Sequence, residues 1–283
     1  KDREDCLHLS TKLWYFYADL QENLGTFEDA KKAYERMMDL KVASPQSILN
    51  YCAFLERHYY FEESFRVYER ALSLFEWPHC YDLWVIYISK FIERYGDKKI
   101  ERARDLFEQV LFKCPNNHKN KQLFFFMYAD YEENFGLINH ASEIYDRATK
   151  ELGGIQIFEV FIAKTAEYYG ITKTRTIYQK GFDQLEGKSF IEMGLKFSKL
   201  ERKLGEIDRA RSIYEHMSQF CNPQIKEVLE KFWNVWEKFE IYHGNEDTYK
   251  EFMKYKRTVE MRYSISVPFE NIQAKVEDSK MQS

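Results

Sequence analysis

A small residue followed four positions later by an aromatic residue recurs seven times along this chain. The pairs are Ala30/Tyr34, Ser64/Tyr68, Ala103/Phe107, Ala141/Tyr145, Thr174/Tyr178, Ala210/Tyr214 and Thr248/Phe252. Successive aromatic residues of these pairs lie 33 to 39 residues apart. An interval of this length is typical of helix–turn–helix units that bury their apolar faces only by stacking on their neighbours. The sequence therefore predicts an all-α fold, a right-handed α-solenoid of about seven repeats.

The spacing of the repeats also predicts the organisation of the chain. We expect one superhelix over residues 1–263, followed by a polar C-terminal tail at residues 264–283. The repeats are expected at about residues 13–40, 48–75, 83–111, 123–149, 157–182, 190–218 and 232–257. The 283 residues include only 11 Gly and 5 Pro, which disfavours an all-β fold because strands need frequent turn residues.

Aromatic residues recur on the first helix of several units as well, three positions apart, as in Trp14 and Tyr17. Residues three apart share one face of a helix, so we expect these rings to lie in the core between helices. Core positions are the favoured interpretation over stacking on RNA bases. The predicted core residues are Trp14, Tyr17, Tyr34, Tyr68, Trp84, Tyr87, Phe107, Tyr128, Tyr145, Tyr178, Tyr214, Trp233 and Trp236.

A glycine follows the first helix in six of the seven units. These predicted turn residues are Gly25, Gly96, Gly136, Gly170, Gly205 and Gly244. Helices commonly end on a left-handed residue, a conformation that glycine adopts without steric cost, so we expect that conformation here. The second unit has Tyr59 at this position, and its turn is expected to be looser or differently capped.

Three patterns suggest catalytic or ligand-binding motifs but do not meet their requirements. Gly187-Lys188-Ser189 lacks the glycine spacing and the preceding strand of a phosphate-binding loop, which favours a loop between repeats. His79-Cys80 is one close pair, whereas metal sites need three or four ligands. Glutamates near the ends of first helices recur about once per repeat, which favours ion pairs or hydrogen bonds between helices over acid–base chemistry. These are Glu56, Glu93, Glu133, Glu167 and Glu240. We therefore predict a protein that is not an enzyme and has no cofactor or metal.

Charge patterning limits the nucleic-acid interpretation to local patches. The 46 acidic residues outnumber the 42 basic ones, whereas proteins that coat nucleic acid normally carry a basic excess. Basic clusters occur at Lys98/Lys99/Arg102/Arg104, at Lys196/Lys199/Arg202/Lys203 and on the last predicted helix. In the last cluster few acids lie nearby, and Lys254, Lys256, Arg257 and Arg262 are its candidate RNA or partner contacts. A solvated helix face is the alternative for each cluster.

Cysteine usage and hydropathy favour a protein of the cytosol or nucleus. The five cysteines are odd in number and form no C-x-x-C pair, a pattern typical of reduced and often buried thiols. No apolar run approaches the ~18 residues that a membrane-spanning helix needs. We therefore expect no membrane partner.

The repeat unit W-x-x-Y…E…G…A-x-x-x-Y-E-R-A resembles the half-a-TPR (HAT) repeat of RNA-processing proteins. Its variable length and first-helix aromatic pairs favour this family over the tetratricopeptide repeat, which keeps closely to 34 residues. Longer strings are similar to the Syf-one, or XPA-binding protein two, family of splicing factors. They are FEESFRVYERALSLFEWP, FIERYGDKKIERARDLFEQVL, LGEIDRARSIY and HGNEDT.

The resemblance implies a nuclear, non-catalytic scaffold in pre-mRNA splicing. It implies membership of the NineTeen complex and of the intron-binding complex of the spliceosome, and a link to transcription-coupled DNA repair. The partners that it implies are the crooked-neck-like HAT protein, the Isy-one protein and the Aquarius helicase. The alternative is a module that contacts small nuclear RNA or intron RNA directly through its basic clusters.

Overall fold

The protein is all-α, as predicted. The computed structural model describes residues 10–115, 120–221 and 226–262, and these ranges contain fourteen α-helices and no strand. The helices are α1 (Thr11–Leu24), α2 (Phe27–Asp39), α3 (Pro45–Arg57), α4 (Phe61–Leu74), α5 (Tyr81–Tyr95), α6 (Ile100–Lys113), α7 (Lys121–Phe135), α8 (Ile138–Leu152), α9 (Ile155–Tyr169), α10 (Thr174–Gln184), α11 (Gly187–Lys203), α12 (Ile207–Gln219), α13 (Lys226–His243) and α14 (residues 246–262).

The helices belong to two compact units, Lys1–Ile144 and Tyr145–Ser283. Within the first unit each helix from α1 to α6 packs against the next one in sequence, and within the second unit α9, α10, α11 and α12 do the same. Short turns separate odd-numbered helices from the even-numbered helices that follow, which gives one first helix and one second helix per repeat. The single superhelix over residues 1–263 and its handedness stay predictions, and the predicted tail at residues 264–283 lies outside the described residues.

Side-chain caps fix where several helices begin. At α3 the hydroxyl of Ser44 accepts from the backbone N–H of Ser47, the Ser47 hydroxyl accepts in return from the Ser44 N–H, and Pro45 occupies the first helical position. At α14 the same reciprocal arrangement joins Asn245 and Thr248, with both hydrogen bonds at 2.9 Å. Such caps satisfy backbone N–H groups that the helix itself leaves without partners. They help to fix the residues at which α3 and α14 begin.

The turn glycines serve two different purposes, so the left-handed conformation expected for them is only partly correct. Gly170 and Gly205 have φ angles of 86° and 82°, the region in which a side chain is strained. Gly25, Gly96 and Gly136 have φ angles of -90°, -55° and -116°, and the expectation is wrong for them. The φ of Gly244 also lies outside the left-handed region, so the expectation is wrong at four of the six turns.

Close approach explains the glycines that are not left-handed. A Cβ atom on Gly136 would lie 2.9 Å from Cδ of Glu132, and one on Gly96 would lie 2.7 Å from the carbonyl oxygen of Ile92. Real Cβ atoms essentially never approach other atoms this closely.

In the second repeat Tyr59 itself is left-handed, with φ of 66°. The Tyr60 N–H donates to the Leu55 carbonyl at 2.9 Å, as the Glu206 N–H after Gly205 donates to the Glu201 carbonyl at 3.0 Å. The expectation of a looser or differently capped turn is therefore wrong, because this turn has the same cap as the turn at Gly205.

Candidate functional site

A ring from the second helix of one repeat stacks on a ring from the first helix of the next repeat, and this happens at all six successive repeat boundaries. The stacked pairs, with centroid separations and interplanar angles, are Tyr34–Tyr51 (4.8 Å, 12°), Tyr68–Tyr87 (5.3 Å, 17°), Phe107–Tyr128 (4.8 Å, 9°), Tyr145–Phe161 (5.7 Å, 21°), Tyr178–Phe197 (4.7 Å, 4°) and Tyr214–Trp236 (5.7 Å, 11°). We call these six contacts the ring pairs. Each joins two neighbouring repeats, so the rings hold the array together.

Most residues predicted for the repeat core are buried. Those with at most 6% of their surface exposed are Tyr34, Tyr68, Trp84, Tyr87, Phe107, Tyr128, Tyr145, Tyr178, Tyr214, Trp233 and Trp236. The small residue four positions before each second-helix ring is also buried in the first six repeats, as Ala30 and Ala103 illustrate. Because the rings pack against protein on both faces of the boundary, they are not available to stack on RNA bases.

Helix α1 is the exception to this burial, and the prediction of a core position is wrong for Tyr17. Tyr17 is 45% exposed and Trp14 is half-buried. Tyr17 has the register of Tyr51 and Tyr128, but no second helix precedes it among the described residues. Within the described ranges the aromatic neighbour of its ring is the edge of Trp14, with centroids 5.9 Å apart. Leu24, on the same helix, is 81% exposed.

A second pair of positions accompanies the ring pair at each boundary. One is the residue directly after the small residue of the second helix, and the other lies four residues after the first-helix ring. At the third boundary these are Arg104 and Glu132, whose side chains form a bidentate ion pair with Nε–Oε1 of 2.7 Å and Nη2–Oε2 of 2.9 Å. Glu132 is fully buried. Arg104 also donates to the exposed Glu101, at 2.8 Å. We call these two positions the companion pair.

The same ion pair recurs at two boundaries of the second unit. Arg175 donates to both carboxylate oxygens of Glu201, at 2.7 and 2.9 Å. Arg211 donates to Glu240 at 3.0 Å, and the indole N–H of Trp236 donates to the same oxygen at 3.2 Å. Glu201 and Glu240 are 1% and 2% exposed. Buried charges persist only when they are paired and hydrogen-bonded, so each arginine is needed by its glutamate.

The ionisation of Glu132 reflects this balance. Burial opposes the charged form, but the hydrogen bonds and charge of Arg104 outweigh it, with help from the backbone N–H of Leu137, and they lower the pKa of the carboxyl. The carboxylate is therefore ionised at neutral pH. It acts as a fixed anionic anchor between two repeats, with no proton available for acid–base chemistry.

Other companion pairs are matched without a buried charge. Phe65 and Phe91 fill the two positions at the second boundary and contact each other edge to face, with centroids 5.4 Å apart. At the first boundary the positions are Lys31 and Leu55. Leu55 offers no anion, and the Lys31 ammonium group instead pairs with Glu63 at 2.6 Å. Four of the six boundaries thus carry an Arg–Glu or a Phe–Phe contact at the companion positions, and at the first boundary Lys31 pairs elsewhere.

The glutamates that form the companion pairs were only partly predicted. Glu240 links two helices, as expected. At the third boundary the predicted residue was Glu133, but its neighbour Glu132 forms the ion pair. Glu167 is exposed, and Glu201 was missed. A sequence signal was present: Glu132, Glu201 and Glu240 each lie four residues after a first-helix ring, and each has an arginine directly after the preceding small residue.

The other two predicted glutamates, Glu56 and Glu93, make weaker contacts. Both lie near Lys90, with N–O distances of 3.7 and 3.4 Å. Glu56 also accepts a hydrogen bond from the hydroxyl of Ser64, at 3.2 Å. Glu56 thus links α3 to α4 within one repeat and α3 to α5 of the next.

The first basic cluster is used within the protein. Lys99 pairs with Glu62 at 3.1 Å, Arg102 pairs with Glu69, and Arg104 belongs to a companion pair. These contacts join α6 to α4 and α7. For these three side chains the structure favours an internal role over contact with phosphates.

The C-terminal basic cluster lies beside a cleft. Lys254, Lys256 and Arg257 form no salt bridge with any described residue. The cleft has a volume of about 710 Å³ and lies between the end of α12 and α14. Its lining includes Phe220, Glu251, Lys254, Tyr255, Thr258 and Arg262. We call it the α12–α14 cleft, and it brings two of the four candidate contacts together with two aromatic rings.

The motifs that suggested catalysis or ligand binding can be compared with their surroundings in the fold. Gly187-Lys188-Ser189 forms the first turn of α11, not a loop between repeats, because the helix begins at Gly187. No group of three His, Cys, Asp or Glu side chains in the described ranges could hold a metal ion. Burial raises the pKa of the Cys52 and Cys221 thiols to about 12, so both are protonated and unreactive at neutral pH.

Within the part of the chain that the structure describes, every helix is too short or too polar to cross a bilayer.

The family model that describes the C-terminal HAT repeat of the pre-mRNA-splicing factors Syf1 and CRNKL1 matches residues 1–283. The chain belongs to this family. The resemblance inferred from the repeat residues is thereby confirmed, as is the HAT type of the repeats. The ring pairs and companion pairs are the way in which this member joins one HAT repeat to the next.

Individual relatives are similar over most of the chain. It is 50% identical to the pre-mRNA-splicing factor syf1 homolog of Drosophila melanogaster over 264 residues, which are 92% of this chain and 29% of that protein. It is 48% identical to the human pre-mRNA-splicing factor SYF1 over 266 residues, 93% of this chain and 30% of that protein. For the SYF1 of Dictyostelium discoideum the identity is 45%, over 93% of this chain and 31% of the relative. The chain spans less than a third of the length of these relatives.

Proposed function

We propose that this chain is a non-catalytic, nuclear scaffold segment of a pre-mRNA-splicing factor. The observation that carries the proposal is that the same internal contacts recur along the array: its rings stack between repeats and three arginines neutralise buried glutamates. Side chains held in this way stiffen the helices without offering a reaction site. Membership of the Syf1 and CRNKL1 family and the similarity to pre-mRNA-splicing factors supply the biological setting.

The scaffold acts through geometry. A repeat array exposes a large surface for its length, so several modest contacts can hold several partners at once. The proposed setting is the NineTeen complex and the intron-binding complex of the spliceosome. The proposed partners are the crooked-neck-like HAT protein, the Isy-one protein and the Aquarius helicase, and the proposal extends to transcription-coupled DNA repair.

Affinity capture from nuclear extract tests the scaffold directly. The tagged 283-residue chain is incubated with RNase-treated extract, and bound proteins are quantified by mass spectrometry against an unrelated helical-repeat protein. We expect enrichment of the three named partners. Phe107→Ala, which removes a ring pair, should reduce the enrichment, whereas Gly154→Ala, where the nearest atom to a new Cβ is 4.0 Å away, should not. Equal recovery on the unrelated repeat protein would refute the scaffold.

A further inference from the structure

We infer that the α12–α14 cleft binds single-stranded RNA, with Phe220 as a base-stacking platform and Lys254 and Arg262 as phosphate contacts. This site goes beyond a protein scaffold, because it would place the chain in direct contact with the nucleic acid. The inference is independent of which proteins the chain holds.

The first support is an aromatic ring that the fold leaves exposed. Phe220 is 58% exposed, although it follows directly after α12. Its ring is held from one side by His216 and Phe190, with centroids 5.1 and 5.3 Å away and planes inclined by 62° and 58°. A ring supported in this way keeps its position while most of its surface faces solvent. Stacking on such rings is how proteins bind single strands with little sequence preference.

The second support is the arrangement of charge along α14. Lys254, Thr258 and Arg262 are spaced four residues apart, so they follow one face of the helix over about 12 Å. All three line the cleft that Phe220 also lines. Lys254 makes no salt bridge with any described residue, unlike Lys99 and Arg102 of the first basic cluster. In proteins that bind single-stranded nucleic acid, the cations of a groove contact the phosphates and its aromatic rings stack on the bases.

One acidic side chain in the cleft makes the inference specific. Glu251 lies among the lining residues, and its charge should repel phosphates. On the opposite side of α14, Glu260 lines a different cleft with α13. If RNA phosphates lie in the α12–α14 cleft, neutralising Glu251 should strengthen binding more than neutralising Glu260. If RNA is attracted to the whole of α14, the two changes should have the same effect.

Fluorescence anisotropy with a labelled 12-nucleotide single-stranded RNA, measured over a salt series, tests the site on the 283-residue chain. Phe220→Ala should weaken binding about tenfold, within the range for loss of one stacked base. The double variant Lys254→Ala/Arg262→Ala should lower the slope of log K against log salt by about 1.4, for two phosphate contacts on a single strand. Glu251→Gln should strengthen binding.

Matched controls come from the same protein. Phe112 is 91% exposed at the end of α6, and Phe112→Ala should leave RNA binding unchanged. Lys199→Ala/Lys203→Ala removes two exposed cations from α11, and it should leave the salt slope within the error of the wild type. Glu260→Gln should not strengthen binding. Circular dichroism and melting curves confirm that each variant is folded.

Three outcomes would overturn the inference. The chain binds no single-stranded RNA, or Phe220→Ala binds as tightly as Phe112→Ala, or both double variants change the salt slope equally. Capture from RNase-treated nuclear extract adds a fourth: if Phe220→Ala loses a splicing protein but keeps its RNA affinity, the cleft is a protein-docking surface. The scaffold proposal stands or falls separately, since it depends on protein capture and not on RNA affinity.

Discussion

The ring of Phe107 lies flat on the ring of Tyr128, with centroids 4.8 Å apart and planes inclined by 9°. Phe107 belongs to the second helix of one repeat and Tyr128 to the first helix of the next. Beside them Arg104 and Glu132 make the same connection through charge. Each boundary thus couples two repeats through a ring pair and, at three boundaries, a buried ion pair.

Loss of a ring pair should divide the array. Tyr145→Ala removes the ring that stacks on Phe161, and it should cost about 3–5 kcal/mol, as large-to-small aromatic changes in cores do. Because repeats couple only to their neighbours, differential scanning calorimetry should resolve two transitions. Tyr242→Ala, at a tyrosine that is 79% exposed, is the control and should change stability by less than about 0.5 kcal/mol. A single unshifted transition for Tyr145→Ala would be incompatible with this coupling.

The buried ion pair should be costly to break from either side. Arg104→Met leaves Glu132 buried without its cation, which should destabilise the protein by about 3–5 kcal/mol. The control is Lys32→Met, at an exposed pair in which Lys32 lies 3.9 Å from Asp29, and it should cost less than about 1 kcal/mol. Urea denaturation measures both. If the two variants lower the free energy of unfolding by the same amount, the Arg104–Glu132 pair contributes no more than an exposed ion pair.

Acid should weaken the third boundary. The pKa of Glu132 is lower in the folded protein than its ordinary value of 4.5. A depressed folded pKa contributes stability that is complete above pH 4.5 and is lost as the pH falls through the folded pKa. Glu132→Gln should therefore show a shallower loss of unfolding free energy below pH 4.5 than the wild type. Glu101→Gln, at the exposed acid that also contacts Arg104, should keep the wild-type slope, and identical slopes for all three proteins would contradict the assignment.

A methyl group at the turn should disturb the ion pair without removing it. Gly136→Ala places a Cβ atom 2.9 Å from Cδ of Glu132, so the carboxylate must move away from Arg104. Overpacking of this kind costs about 1–3 kcal/mol. Gly154→Ala has no atom closer than 4.0 Å and a φ of -94°. Gly154 is the N-cap of α9, where glycine is preferred over alanine, and this opposes the entropic gain of the substitution, so the net change in stability should stay below about 1 kcal/mol. Thermal melting of the two variants makes the comparison; equal melting temperatures would mean that Glu132 relaxes freely.

The repeat register could be predicted from the sequence because it depends on residues within one unit. The small residue lets two helices approach, and the ring four positions later packs beside it, so Ala103 and Phe107 mark the core without knowledge of their neighbours. The helix type and the number of units follow from the same pattern. These are local consequences of side-chain size on a helix face.

Features that depend on two repeats were missed or misplaced. The number of residues between the first-helix ring and the turn glycine varies: it is eight from Tyr128 to Gly136 but nine from Tyr87 to Gly96. A position counted back from the glycine therefore differs from one counted forward from the ring, and counting from the glycine selects Glu133 in place of Glu132. Tyr17 has the sequence of a core residue, yet its burial depends on a preceding helix. The backbone angles of the glycines depend on close contacts that spacing alone does not specify.

The central claim is that the rings of neighbouring repeats stabilise each other, and a double-mutant cycle on Phe107 and Tyr128 tests it most directly. Unfolding free energies of Phe107→Leu, Tyr128→Leu and the double variant should give a coupling energy of about 0.5–1.5 kcal/mol, as measured for aromatic pairs. A parallel cycle of Phe107→Leu with Tyr34→Leu, whose rings belong to different boundaries, should be additive. Additivity of Phe107 and Tyr128 within about 0.3 kcal/mol would contradict the account.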